Sequence, residues 1–173
     1  MSRSKMYGIR SDYTGTVLFE YPNSWLFSPN IWEMLPNKYI PDYIETPYGY
    51  KLMIIEPHYG PKVWSKTNEK VNNCDNTPDR VCWELSNQSI FPTNDKDLIA
   101  DSIIKFMEQN IQYLEASKPE NIIKRFSEIA SNIRYIDEKE YPYFVFKNTT
   151  CDDGVENWFE KYDEETGNTL NAQ

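Results

Sequence analysis

Residues 95–136 read DKDLIADSIIKFMEQNIQYLEASKPENIIKRFSEIASNIRYI, and this stretch decides the fold class. Apolar residues recur in it every three or four positions, which is the spacing of one face of an α-helix. The spacing predicts a helix over about 95–115 and a second helix that begins at residues 117–120, where Ser-x-x-Glu with a proline in the first turn is typical of a capping box. Together they form an αα-hairpin. The residues expected in its core are Phe106, Ile111, Phe126, Ile129 and Ile133.

Short apolar runs separated by prolines fill the chain before this hairpin, a pattern typical of strands and turns. A helix of only one or two turns is expected over 29–35, before Pro36. The β-branched and apolar content of strands occurs at 16–21, 51–56, 81–85 and 141–147. We therefore predict an α+β fold, in which a mainly antiparallel sheet from the N-terminal half plus the 141–147 strand packs against the hairpin of about 95–136.

The end of the chain is strongly acidic. The formal net charge is −9, and residues 137–173 hold ten acidic residues against three lysines. Within this region Val155, Trp158, Phe159 and Tyr162 follow helical spacing, which predicts an acidic helix from about 153 to 167 that these side chains anchor to the body. Residues 168–173 are expected to fray. The length of 173 residues favours a single domain over 1–173.

This uneven charge distribution indicates what kind of partner the protein binds rather than how it folds. Concentrated negative charge repels nucleic acid and acidic lipid and attracts basic proteins. We expect a non-enzymatic protein that binds another protein with a basic surface, as an inhibitor or an immunity-type protein does. Direct binding to nucleic acid or to a membrane is not expected. The predicted contact residues are the acids of the terminal helix and two tyrosines of a proline-rich stretch, namely Glu156, Glu160, Asp163, Glu164, Glu165, Tyr43 and Tyr48.

The alternative is a small enzyme or ligand-binding domain with a site near His58. This residue is the only histidine, and it follows the predicted 51–56 strand, a common position for a general base. Glu56 and Tyr59 lie beside it in the sequence, and Trp64 or Trp83 would line the pocket. A single histidine between two prolines is more often a surface or hydrogen-bonded residue, so we favour the binding protein and assign no catalytic residue.

No cofactor and no metal are predicted. The three cysteines, Cys74, Cys82 and Cys151, are too widely spaced for the paired ligands of a structural zinc site. The six glycines form neither of the two common phosphate-binding patterns. The N-terminus lacks the apolar stretch of a signal peptide, and no apolar run approaches the length of a membrane span. Reduced thiols in the cytoplasm are therefore expected.

Overall fold

The computed structural model describes residues 2–42, 60–116 and 118–150. This part of the chain is α+β, as predicted, with five α-helices and a four-stranded antiparallel sheet. The strands are β1 Ser2–Ile9, β2 Gly15–Pro22, β3 Ile90–Pro92 and β4 Tyr143–Thr150. The helices are α1 Ser28–Tyr39, α2 Gly60–Asn72, α3 Thr77–Ser86, α4 Lys96–Asn110 and α5 Glu120–Arg134. Three short 3-10 helices cover Ser24–Leu26, Thr93–Asp95 and Ile111–Tyr113.

The strands lie in the order β2-β1-β4-β3. Strands β2 and β4 confirm the predictions for 16–21 and 141–147. The sequence reading missed β1, which is a central strand and pairs with both β2 and β4. Opposite residues of β1 and β4 such as Met6 and Phe146 point to the same face, and both are completely buried. This core face of the sheet packs against the helices.

The helices α4 and α5 form the predicted hairpin. Phe106, Phe126, Ile129 and Ile133 are completely buried, and Ile111 is partly buried against the core. The Phe126 ring lies 4.5 Å from the ring of Phe27 and 6.1 Å from that of Phe106, measured between centroids. These aromatic contacts join the hairpin to the segment that follows β2.

Helix α5 begins later than the capping-box pattern predicts. Its first residue is Glu120, and its N-cap is Pro119, which has no side-chain hydrogen bond to offer. The amide of Ile123 donates to the Pro119 carbonyl at 2.9 Å, which closes the first turn. Ser117, the predicted cap, lies outside the described residues.

The prediction of a strand over 81–85 is wrong, because these residues belong to helix α3. Asn76 caps this helix by accepting a hydrogen bond from the amide of Asp79 at 3.1 Å. The capped turn satisfies backbone donors that a strand would leave to other partners. Cys82, Trp83 and Leu85 are completely buried because they lie on the side of this helix that packs against the core, and not because of an alternating strand pattern.

The N-terminal half is also more helical than expected. Helix α1 extends over twelve residues and continues through Pro36, beyond the predicted 29–35. Helix α2 was not predicted at all. The predicted 51–56 strand, the acidic terminal helix and the frayed 168–173 tail lie outside the described residues.

Candidate functional site

None of the residues that the sequence singled out for catalysis or for partner contact belongs to the part of the chain that the structure describes. This holds for the proposed general base and its neighbours and for the proposed contact residues. The residues concerned are Glu56, His58, Tyr59, Tyr43, Tyr48, Glu156, Glu160, Asp163, Glu164 and Glu165. Their roles therefore remain predictions.

The described residues contain one conspicuous polar cluster, which we call the Asp79 cluster and which consists of Lys38, Tyr39, Asp79 and Asn110. Asp79 is completely buried. Its Oδ2 accepts hydrogen bonds from Lys38 Nζ at 2.7 Å and from the Tyr39 hydroxyl at 2.5 Å. Its Oδ1 accepts from Asn110 Nδ2 at 2.8 Å. Three donors from two other helices thus surround a single buried carboxylate.

Helix ends explain why the cluster forms where it does. Lys38 and Tyr39 end α1, Asn110 ends α4, and Asp79 lies in the first turn of α3. A helix dipole favours a carboxylate at its N-terminus and an ammonium at its C-terminus. Asp79 and Lys38 occupy these preferred ends. The ion pair and the interaction of each charge with its helix dipole therefore all stabilise the contact.

The cluster keeps Tyr39 protonated. Burial raises the pKa of the Tyr39 hydroxyl well above its ordinary value, and the hydrogen bond to the Asp79 carboxylate raises that pKa further. A hydroxyl that donates to a carboxylate loses its proton only at the cost of two adjacent negative charges. Tyr39 is therefore a permanent donor at neutral pH, and the arrangement joins helices instead of activating a base.

The thiol of Cys82 is equally inert. Cys82 is completely buried in the core, and burial, followed by the charge of Asp79, raises the pKa of its thiol. A thiol of raised pKa is a poor nucleophile at neutral pH because the thiolate is the reactive form. Cys74 is partly exposed, and neither of these two cysteines forms a disulfide.

An open cavity of about 350 Å³ lies beside the end of α1. Tyr39, Ile40, Pro41, Asp42 and Lys66 line it. This volume is near the lower limit for small-molecule sites, which are also mainly apolar and enclosed. The cavity shares Tyr39 with the Asp79 cluster, but the Tyr39 hydroxyl is committed to Asp79 and is not available to a ligand as a free donor.

A second cavity, of about 420 Å³, lies at the β3 edge of the sheet. Pro92, Asn94, Glu138, Lys139, Pro142 and Tyr143 line it. Its two charged residues are exposed at the surface. Among the described residues that line the two cavities, none is a serine, threonine, cysteine or histidine, the side chains that most often act as nucleophile or base.

The two tryptophans suggested for a pocket have structural positions. Trp83 is completely buried in the core, and its indole Nε1 donates to Asn68 Oδ1 at 2.9 Å. Trp64 packs beside it with ring centroids 6.0 Å apart and donates to Asn87 Oδ1 at 3.2 Å. Within residues 2–42, 60–116 and 118–150, no group of three or more histidine, cysteine or acidic side chains is placed to hold a metal ion.

Comparison with protein-family models, with curated proteins and with solved structures gives no significant match to this chain. Among the described helices, none is both long enough and apolar enough to cross a lipid bilayer. Function must therefore be argued from the residues and the charges of the chain itself.

Proposed function

We propose that this chain is a non-enzymatic, protein-binding protein of the inhibitor or immunity type. Its acidic C-terminal residues would engage a partner that presents a basic surface. The observation that carries the proposal is the separation of charge along the chain. Residues 151–173 hold seven acidic residues and one lysine, a net charge of −6 in 23 residues.

The rest of the molecule is nearly neutral by comparison. The described residues 2–42, 60–116 and 118–150 contain 18 acidic and 16 basic residues, a net charge of −2. A field concentrated at one end of a protein increases the rate at which oppositely charged partners meet it in the correct orientation. Solubility alone needs no such concentration, because acids spread over the surface serve it equally well.

Within the described residues, the buried acid of the Asp79 cluster has a structural role rather than a catalytic one. The buried carboxylate of Asp79 is fully used by three structural hydrogen bonds. Its unpaired thiols, Cys74 and Cys82, agree with a reducing compartment, so the proposal places the protein in the cytoplasm. Tyr43 and Tyr48 would add aromatic contacts that slow dissociation once the charges have brought the partners together.

Charge reversal tests the proposal. One variant carries Glu160→Lys, Asp163→Lys and Glu164→Lys. A matched control reverses three acids that are exposed on the described helices, Glu69, Glu108 and Glu128, and so has the same net charge. Both variants and the native chain serve as baits in the native host at low and at high salt, and association rates are then measured with the captured partner.

We expect the native chain and the control variant to capture the same partner at low salt, while the C-terminal variant loses it. The association rate of the native chain should fall at least tenfold from about 0.05 M to about 0.5 M salt, since exposed charges are screened over this range. Equal capture and equal rates for both variants would show that the acids of residues 160–164 are only a solvated surface. The proposal would then fail.

A further inference from the structure

Several segments of the chain meet at one end of the sheet. The last row across the strands there consists of direct partners in the register, namely Gly15, Ile9, Tyr143 and Pro92. The amide of Thr93 donates to the Pro142 carbonyl at 2.8 Å. The Arg10 guanidinium lies 5.3 Å from the centroid of the Tyr141 ring. The β1–β2 turn, the start of β4 and the residues that lead into α4 therefore lie side by side.

Exposed tyrosines are concentrated at this end. Tyr135 is 80% exposed, Tyr13 is 73% exposed and Tyr143 is 37% exposed, whereas the other five described tyrosines are buried or partly buried. Tyr135 directly follows α5, and Lys96 Nζ holds this segment to the start of α4 by donating to the Ile136 carbonyl at 2.8 Å. We call these three side chains and the cavity beside Tyr143 the tyrosine surface. Tyrosine is enriched where proteins bind other proteins.

The backbone at Tyr13 is unfavourable for a tyrosine. Its φ is +68°, in the left-handed region that favours glycine. Hydrogen bonds within the turn hold this conformation. The amide of Tyr13 donates to the Arg10 carbonyl at 2.9 Å, and the amide and hydroxyl of Thr14 both donate to Asp12 Oδ1. A strained residue whose ring is mostly in solvent contributes little to the core, which favours a role in contact with a partner.

The cavity of about 420 Å³ borders Tyr143. Pro92, Pro142 and Tyr143 provide the apolar part of its lining, and Glu138 provides a carboxylate. An arginine side chain suits this lining, because a guanidinium stacks on aromatic rings and pairs with carboxylates. Lys139 also lines the cavity, but it is exposed, so its ammonium can extend into solvent.

The charge around the tyrosine surface is negative. Residues 94–101 and 134–143 contain six acidic and three basic residues. Two of the three bases are bound within the chain, since Arg134 pairs with two aspartates of α4 and Lys96 binds a carbonyl. Glu138 and Glu140 are exposed. Charge complementarity therefore favours a basic partner here.

We propose that the tyrosine surface is a second contact surface for the basic partner, and that the cavity beside Tyr143 receives an arginine side chain of that partner. The inference rests on the proposed function, which gives the partner a basic surface. It adds a contact made by the described part of the chain. The acids of residues 151–173 would speed the encounter, and the exposed tyrosines would slow dissociation.

Titration of the full chain with two defined peptides, hexa-arginine and hexa-lysine, tests the inference. The peptides carry equal charge, so a difference between them measures recognition of the guanidinium rather than of charge alone. Amide resonances of the chain report which residues are contacted. We expect hexa-arginine to shift amides within 10–14, 92–98 and 135–143, and to bind about fivefold more tightly than hexa-lysine.

Two variants each remove one ring. Tyr13→Gly relieves the strained φ, and Tyr135→Ala removes the most exposed ring, so Tm should stay within about 2 °C of the native value. Each should weaken hexa-arginine binding by about threefold or more. Ile123→Ala is the matched control, because Ile123 is also exposed but lies about 18 Å from Tyr135 along α5. Loss of affinity in this control equal to that in the tyrosine variants would overturn the inference.

A second pair of variants tests the cavity. Glu138→Lys should remove the preference for hexa-arginine, since it replaces the carboxylate by an ammonium. Glu128→Lys makes the same change of charge at an exposed position of α5 that does not line the cavity, and it should keep the preference. Equal loss in both variants would show an effect of net charge only and would overturn the assignment of the cavity.

The titration separates this inference from the proposed function. Shifts confined to residues 151–173, with equal affinity for the two peptides, would overturn the tyrosine surface and leave the proposed function standing. Failure of the proposed function would instead appear as equal partner capture by the two charge-reversal variants described above. A sedimentation coefficient that rises with protein concentration in the native chain, but not in Tyr135→Ala, would assign the surface to a second copy and overturn the inference.

Discussion

The Tyr39 hydroxyl donates a 2.5 Å hydrogen bond to Asp79, and this contact joins the C-terminus of α1 to the N-terminus of α3. Asp79 is the central residue of the contact because it also accepts from Lys38 and from Asn110 of α4. A buried carboxylate with three donors fixes the relative position of three helices more specifically than apolar contacts do. The cluster is thus a structural centre of the helical layer.

Truncation of Asp79 should be strongly destabilising. We expect Asp79→Ala to lower the free energy of unfolding by about 3 kcal/mol, because the buried Asn110 and the partly buried Lys38 and Tyr39 each lose an acceptor. Tyr39→Phe removes one donor and should cost about 1–2 kcal/mol. Urea unfolding measures both changes. The exposed Asp75 provides the control, and a loss for Asp79→Ala no larger than that for Asp75→Ala would contradict the assigned role.

Alkaline pH should also destabilise the fold. Burial raises the pKa of Tyr21 to about 12, and the pKa of Tyr39 is raised as well. Between pH 10 and 12 the unfolded chain loses these tyrosine protons while the folded chain keeps them. The contribution of these two tyrosines to the free energy of unfolding is therefore fully present below about pH 10. It falls above that pH, by up to about 1.4 kcal/mol per pH unit for each tyrosine.

Urea unfolding at pH 8 to 11 checks this dependence. Tyr21→Phe should reduce the loss of stability above pH 10, because it removes one of the two buried hydroxyls with a raised pKa. Equal slopes for the native chain and the Tyr21→Phe variant would contradict the contribution of Tyr21.

The hairpin of α4 and α5 was predictable because its apolar pattern is long and regular. Fifteen residues in each helix give several repeats of the helical spacing, so single exceptions do not hide the pattern. Short segments lack this redundancy. Val81 to Leu85 has the composition of a strand, and the true helical signal lies just before it, in the cap residue Asn76 and in Pro78 at the first turn.

Strand β1 was missed for a different reason. Its polar residues hide the alternation, because Ser4 is completely buried on the core face and donates to Asn148 Oδ1 at 3.2 Å, while Lys5 lies on the opposite face of the sheet. The apolar residues alone, Met6 and Ile9, do not define a strand. The pairing with the partner strands decides which polar residues are buried, and one of these strands, β4, is distant in sequence: Asn148, the acceptor of Ser4, lies 144 positions away.

The Asp79 cluster could not be predicted from the sequence at all. Its hydrogen bonds join residues that are 40, 41 and 31 positions apart. No local spacing relates Tyr39 to Asp79, since their contact depends on how the helices pack. Candidate functional residues were instead chosen because their type is scarce, as with His58, or because charge is concentrated around them. Both properties can be read from the sequence when the fold is unknown.

Gly8 should not tolerate a side chain. A Cβ atom at this position would lie 2.6 Å from Cγ of Tyr141 and 2.8 Å from Cδ1 of Leu18. We expect Gly8→Ala to lower the free energy of unfolding by about 1–3 kcal/mol through overpacking. In a Tyr141→Ala background the same substitution should cost much less, which urea unfolding of the double variant measures. An equal cost in both backgrounds would contradict the steric origin.

His58 separates the proposed binding function from the enzyme alternative. It is the only histidine, so no other imidazole can replace it as a general base. We expect His58→Ala to capture the same partner as the native chain, with an affinity changed by less than about threefold, since recognition is proposed to depend on acids and tyrosines. Partner capture and thermal unfolding are measured together, with His58→Gln as the conservative control. Loss of the biological effect in both variants, at unchanged Tm, would favour a catalytic site formed by His58 with Glu56 and Tyr59 over the proposed function.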